Sequence, residues 1–128
     1  MQVVADKMNK QVVCTSFSNG KRHDFRLFKE SKVRALPTIQ FKTDTGYQGI
    51  SKYHANSELP KKRSKKNPLS REDKKQNRAI SSERVVNEHV FSFMKRFKIL
   101  SERYRNRRKR FGLRFNLIAG ICNYELFL

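Results

Sequence analysis

Lys61, Lys62, Arg63, Lys65, Lys66, Arg71, Lys74, Lys75 and Arg78 crowd the stretch from Pro60 to Arg78, against only Glu72 and Asp73. No apolar period runs through this stretch, so it has no face to bury. It reads as a surface loop or a weak helix, and its blandest reading is a solvated linker. A nuclear-localisation reading rests on a pattern that short basic clusters match too easily. The excess extends beyond the run: thirty Lys plus Arg against eleven Asp plus Glu give a formal net charge of +19. Such a charge opposes folding by self-repulsion unless a polyanion or a solvated surface absorbs it. Nucleic acid is the first polyanion to consider, and an anionic membrane surface is the alternative.

A length of 128 residues fits one domain. No stretch approaches about eighteen consecutive apolar residues, which excludes a transmembrane helix. The amino terminus, Met1 to Asp6, has no basic region followed by an apolar run, so no secretory signal is expected. Cys14 and Cys122 sit in apolar segments far apart in sequence and read as buried free thiols in a reducing compartment. His23, His54 and His89 show no metal-ligand spacing with them, which argues against a zinc site. No Gly-rich phosphate loop and no nucleophile elbow occurs. These features describe a soluble, intracellular, nucleic-acid-facing protein.

Gln2 to Ala5 and Gln11 to Phe17 are strand-like runs around a polar turn, and together predict a β-hairpin. After Ser18-Asn19-Gly20, Asp24 is the expected N-cap of a short helix carrying Phe25, Leu27 and Phe28, which Pro37 should end. Thr38 to Asp44 alternates apolar and polar residues as a strand does, and Gly46 stops it. Asp44 is thereby expected at a strand end, where side chains commonly enter a site. Order returns at Ile80. Val86, Val90, Phe93, Phe97 and Leu100 lie along one helical stripe, with Ser81 or Ser82 as the cap and Glu83 near the positive helix end. A strongly basic segment over 103–110 precedes a last apolar helix, from Phe111 through Leu117, Ile118, Ile121 and Cys122 towards Tyr124.

The polar face of the helix after Ile80 carries the most information. At about 100° per residue, Arg84, Glu88 and Lys95 project at about 0°, 40° and 20°, while the apolar stripe centres near about 200°. A carboxylate is thus aligned with two cations opposite the core. Composition alone favours an exposed face with i,i+4 charge pairing.

Arg84, Glu88 and Lys95 stand at the spacing Arg-(3)-Glu-(6)-Lys, and that part of the signature resembles bacterial insertion-sequence transposases of the DDE type. Ser81 stands where that signature has a Tyr, which removes an aromatic contact to DNA. Thr43-Asp44-Thr45-Gly46-Tyr47-Gln48-Gly49-Ile50 resembles the segment bearing the family's second catalytic Asp. Asn19-Gly20-Lys21-Arg22-His23-Asp24-Phe25 resembles the block before it, which Harbinger-type nucleases carry in variant form. Lys95-Arg96-Phe97-Lys98 and Arg103-Tyr104-Arg105 fit the usual basic continuation.

The resemblance implies an α/β, ribonuclease-H-like core in which three acidic ligands hold two Mg²⁺ (or Mn²⁺) ions. One ion lowers the pKa of the attacking water or 3′-hydroxyl, and the other stabilises the leaving oxygen. Hard cations of this kind need oxygen ligands. By the same resemblance Asp44 is the second ligand and Glu88 the third, while Arg84 and Lys95 hold DNA phosphates. The basic runs add Lys61, Lys62, Arg63, Lys65 and Lys66, and Arg103, Arg105, Arg107 and Arg108, as DNA-binding candidates.

The first aspartate belongs to a first strand ahead of the hairpin. Asp6 lies in a turn, and Asp24 reads as a helix cap more than a ligand. The expectation is therefore a single, truncated catalytic domain over residues 1–128, with 60–78 as basic loop and 80–128 as a helical part. It lacks its first strand and is inactive alone. A split protein completed by a separate upstream chain remains the other origin. The complete form would cleave and join transposon-end DNA in the bacterial cytoplasm, at the nucleoid. The alternative function is a basic nucleic-acid-binding remnant without catalysis.

The two basic runs predict DNA binding with strong salt dependence and little sequence preference. If about six phosphates are neutralised, log K against log salt should fall with a slope near about −5. Titrations at several salt concentrations check this, and a flat response would argue against phosphate-driven binding.

Overall fold

A computed structural model describes residues 1–18, 20–102 and 110–128. Backbone contacts divide the chain into two compact units, one of residues 1–22 with 86–128 and one of residues 23–85. The architecture is mixed α/β, with two separate two-stranded sheets and four α-helices among the described residues.

In the first unit the expected hairpin forms. Strand β1 (Gln2–Ala5) pairs antiparallel with β2 (Val12–Ser16), and the register shifts between Val4 and Ala5. The turn is made by side chains that mimic backbone. Asp6 Oδ1 accepts from the Met8 N–H at 2.7 Å, and Asn9 Oδ1 accepts from the Gln11 N–H at 2.9 Å. The last helix, α4 (Phe111–Glu125), forms where the apolar run predicts it.

Asn123 ties α4 to the shifted end of the hairpin. Its amide donates to the Val12 carbonyl at 2.8 Å, and its oxygen accepts from the Val12 N–H at 2.7 Å. Around this tie Val3, Val12, Val90, Met94, Leu100, Phe115, Ile118, Ala119 and Cys122 form the core. Burial pushes the Cys122 thiol pKa up, and Cys14 rises for the same reason. Both cysteines are free, as expected, but only Cys122 is buried and Cys14 is half-buried.

The second unit is built on helix α1 (Asp24–Ser31), which buries Leu27 and Phe28. His23, not Asp24, caps it: the Phe25 N–H donates to His23 Nδ1 at 3.3 Å, and Asp24 is the first helical residue. The helix ends at Lys32 in the left-handed region, well before Pro37. The strand expected over 38–44 shrinks to β3 (Phe41–Lys42), which pairs parallel with β4 (Ser57–Glu58) and not with the hairpin. The cause lies in the backbone groups that a longer strand would need. The Ile39 N–H closes a turn onto Leu36, the Ile39 carbonyl meets His54 Nε2 at 2.6 Å, and the Asn56 amide takes the carbonyls of Pro37 and Thr38. Phe25, Phe28, Phe41, Tyr47 and Tyr53 surround these turns with ring contacts, and Ile50 is fully buried.

Helix α2 (Arg71–Lys95) starts well before Ile80. Its start is a reciprocal cap: Ser70 Oγ accepts from the Asp73 N–H at 3.0 Å, while Asp73 Oδ2 accepts from the Ser70 N–H at 3.1 Å. The basic loop thus ends at Ser70. Ser81 and Ser82 lie in the helix interior and Glu83 lies mid-helix; Ser82 Oγ donates back to the Ala79 carbonyl. The far end also differs from expectation. Helix α2 stops at Lys95, and Phe97 begins the short α3 (Lys98–Ser101). The core takes Val90 and Met94, four apart on α2, and Leu100 from α3, whereas Phe93, on α2 beside that buried line, stays 40% exposed under the Arg96 guanidinium.

Asn123→Ala should cost the fold about 1–3 kcal/mol, because both polar groups of Val12 lose their partner. Leu117→Ala, on the exposed side of α4, should cost far less. Urea denaturation compares the two; equal losses would show that the Asn123 tie contributes nothing special.

Candidate functional site

Asp44 lies two residues beyond β3 and caps a 3₁₀ turn, Thr45–Tyr47. Its Oδ1 accepts from the Thr45 N–H at 2.6 Å and from the Thr45 hydroxyl at 3.2 Å. The turn fixes the carboxylate before any other element approaches, and half of the side chain still faces solvent. Arg84 Nη1 then reaches Asp44 Oδ1 at 3.4 Å from α2.

A second pair of opposite polarity lies beside it. Lys42 Nζ is hydrogen-bonded to the Glu83 carboxylate and stands 3.3 Å from Glu58 Oε2 on β4. Lys42 and Asp44 are two apart on a near-extended segment, and Glu83 and Arg84 are adjacent on the helix. Cation and anion alternate on each side, so sliding either element would set like charges together. The Glu83 hydrogen bond, helped by Glu58, raises the Lys42 pKa, while partial burial opposes the rise.

Residues of the Arg-(3)-Glu-(6)-Lys spacing fall differently. Arg84 belongs to the second unit, and Glu88 and Lys95 lie on the part of α2 that belongs to the first. Glu88 is exposed, and no hydrogen bond or ion pair engages it among the described residues. Lys95 Nζ sits 4.5 Å from the centroid of the Phe91 ring, a cation–π contact one turn back. The structure thus brings Asp44 and Arg84 together directly. Lys62, Arg63, Lys65 and Lys66 are exposed on the loop before α2, and Lys61 is ion-paired with Asp73 at 3.1 Å. Arg103, Arg105, Arg107 and Arg108 lie outside the described residues.

Residues 1–123 match the DDE superfamily endonuclease family. The chain belongs to that family. It is 49% identical over 127 residues to the probable transposase for insertion sequence element IS702 of Microchaete diplosiphon. That alignment covers 99% of this chain and 46% of the relative, so the chain spans less than half of the relative's length. No solved structure matches. No helix among the described residues is long and apolar enough to cross a membrane.

DDE endonucleases generally use a divalent metal. Asp44 and Glu88 offer the hard oxygen donors such an ion takes. Among the described residues, however, no group of three or more His, Cys, Asp or Glu is placed to hold an ion. Asp44 Oδ1 is already engaged by Thr45 and Arg84. The described residues do not by themselves fit a closed metal site.

Sequence pattern does not single out Lys42 or Glu58, and it marks Glu83 only as an acid near a helix start. A usable signal existed: the strand alternation that pointed to Asp44 puts Lys42 on the same side. Glu83 beside Arg84 then repeats the two charges in opposite order.

The Lys42–Glu83 pair should show a coupling of about 1 kcal/mol in a double-mutant cycle of Lys42→Met with Glu83→Gln. Because the folded pKa of Lys42 is raised, this contribution is complete below the ordinary value of 10.5 and fades as pH climbs through the raised one. Denaturant titrations at neutral and strongly alkaline pH measure both. A coupling that grows with pH would contradict the assignment.

Proposed function

We propose that this chain is a part of a DNA transposase in which Asp44 and Glu88 serve as two of three acidic ligands for Mg²⁺ or Mn²⁺. The reaction is cleavage and joining of transposon-end DNA in the bacterial cytoplasm, at the nucleoid. Its α/β elements are read as part of a ribonuclease-H-like core, with the third ligand on a strand outside these residues.

One observation carries the reading: in a chain of this family, the carboxylate at the second motif is held by the arginine of the third. Forty residues of sequence separate the two groups. A guanidinium has five N–H donors in a planar fork, and Asp44 meets one of its nitrogens, Nη1. The remaining donors suit a phosphate oxygen. Arg84 thus orients the Asp44 carboxylate and offers a phosphate contact beside it, and Lys95 adds a further cation on the same helix.

Isolated, the chain should show no Mg²⁺- or Mn²⁺-dependent nicking of supercoiled DNA above background, since phosphodiester displacement tolerates little misplacement of its ions. Supplied with a segment bearing the third ligand, it should cleave. Asp44→Ala or Glu88→Ala should then abolish cleavage, whereas Arg84→Ala should mainly weaken DNA engagement. Nicking by the isolated chain that disappears with Glu88→Ala would mean that residues 1–128 hold all three ligands, with Asp24 the first to test. Cleavage that survives Asp44→Ala would refute the role given to Asp44.

A further inference from the structure

The basic stretch before and within α2 looks in sequence like a solvated linker, yet it is held as structure. Asn77 clamps its beginning. The Asn77 amide donates to the Lys61 carbonyl at 2.9 Å, and Asn77 Oδ1 accepts from the Lys61 N–H at 2.8 Å. Lys61 Nζ reaches both oxygens of Asp73 at 3.1 Å. Farther on, the Asn67 N–H donates to Ser64 Oγ at 2.9 Å and closes a turn. Lys62, Arg63, Lys65 and Lys66 thus project from a backbone fixed at both ends, since Ser70 is tied into the cap of α2.

The clamp also sorts the faces of the helix. Asp73, Asn77, Ile80 and Arg84 fall on one side, at helical spacing, and Ile80 is buried. Arg71, Lys74, Lys75 and Arg78 fall on the other at the spacing of a single stripe, and all four are exposed. They line an open groove together with Glu72. Among the described residues none of these four cations, nor Lys62, Arg63, Lys65 or Lys66, has a carboxylate partner.

Four like charges on one stripe destabilise a helix, and cations in its first turns oppose the dipole. Of the two acids in this stretch, Asp73 is turned to Ser70 and Lys61, which leaves Glu72 beside the four cations. Four cations against one acid leave most of the repulsion standing on this face, which suits an approaching polyanion.

We propose that the Arg71–Lys74–Lys75–Arg78 stripe and the clamped 61–66 segment form a preformed grip for the phosphate backbone of duplex DNA. In this grip Lys61 is an anchor, not a phosphate contact. The proposal rests on the transposase reading for the identity of the polyanion. It adds where the DNA is gripped, and that Asn77 keeps the segment in place. Such a grip reads charge and not bases, so binding there is independent of sequence.

The test is fluorescence anisotropy of the full 128-residue chain with a random-sequence duplex at several salt concentrations. The stripe variant is R71Q/K74Q/K75Q/R78Q. Its control, K10Q/K21Q/K32Q/K52Q, removes equal charge from other exposed positions. Each phosphate contact contributes about 0.9 to the slope of log K against log salt, so the stripe variant should flatten the slope by about 3.6 and the control by less than about 1. Asn77→Ala should weaken binding by up to about tenfold and speed amide exchange at Lys61, with helix content kept on circular dichroism.

Equal flattening by the two quadruple variants would overturn the proposal, because the charge would then act without a site. So would a stripe variant that loses binding to phosphatidylserine vesicles while its DNA slope stays intact. If the unmodified chain fails to bind the duplex even at low salt, the transposase reading falls with it. If the unmodified chain binds and only the stripe variant behaves like wild type, this inference alone is wrong.

Discussion

The reciprocal cap between Ser70 and Asp73 is the constraint on which the second unit depends. It starts α2 at Arg71, inside a stretch with no apolar period. Residues three and four apart share a side wherever a helix starts, so what this turn decides is how far back the helix reaches, and it brings Asn77 onto it. Asn77, Ile80 and Arg84 then meet the loop, the core and Asp44 in succession along a single face. A start at Ser81 or Ser82 would leave Asn77 off the helix and the basic segment without an anchor.

A chain with a net charge of +19 has few carboxylates to spend, and their placement is telling. Asp44, Glu58 and Glu83 join β3, β4 and α2; Asp73 joins the loop to α2; Glu125 joins α4 to Arg96. Exposed ion pairs contribute little energy individually. What these contribute is position, since a displaced partner would face a cation. The excess cations are thereby left on loop 61–66 and the first turns of α2, where repulsion is relieved by water or by a polyanion.

Two side-chain amides do similar work in the two units. Asn123 completes the backbone pairing of Val12, and Asn77 completes that of Lys61. Each satisfies one donor and one acceptor where regular pairing stops, which lets a strand or loop end against a helix without orphaned polar groups. The same economy around Asp44 gives a carboxylate held from one side by Thr45 and from the other by Arg84. Family membership supplies the chemical context for that pair, and the turn supplies its geometry.

Much of this was legible in the residues themselves. The hairpin, the short helix carrying Leu27 and Phe28, the last apolar helix and the free thiols follow from local pattern, which needs no distant partner. The motif spacing of Arg84, Glu88 and Lys95, with Asp44 upstream, was enough to indicate the family. Other features depended on partners far away in sequence. The strand before Asp44 is short because His54 and Asn56 take its carbonyls, and His23 outcompetes Asp24 for the cap. Helix α2 turns Val90 and Met94 to the core and leaves Phe93 exposed. Sequence by itself determined which segments carry charge, which carry apolar surface and which motif they spell. Tertiary structure decided that Asp44 faces Arg84 and that the basic loop is clamped to α2. Hydrogen-bond competition between segments many residues apart has no periodicity to read, and only folding chooses its winner.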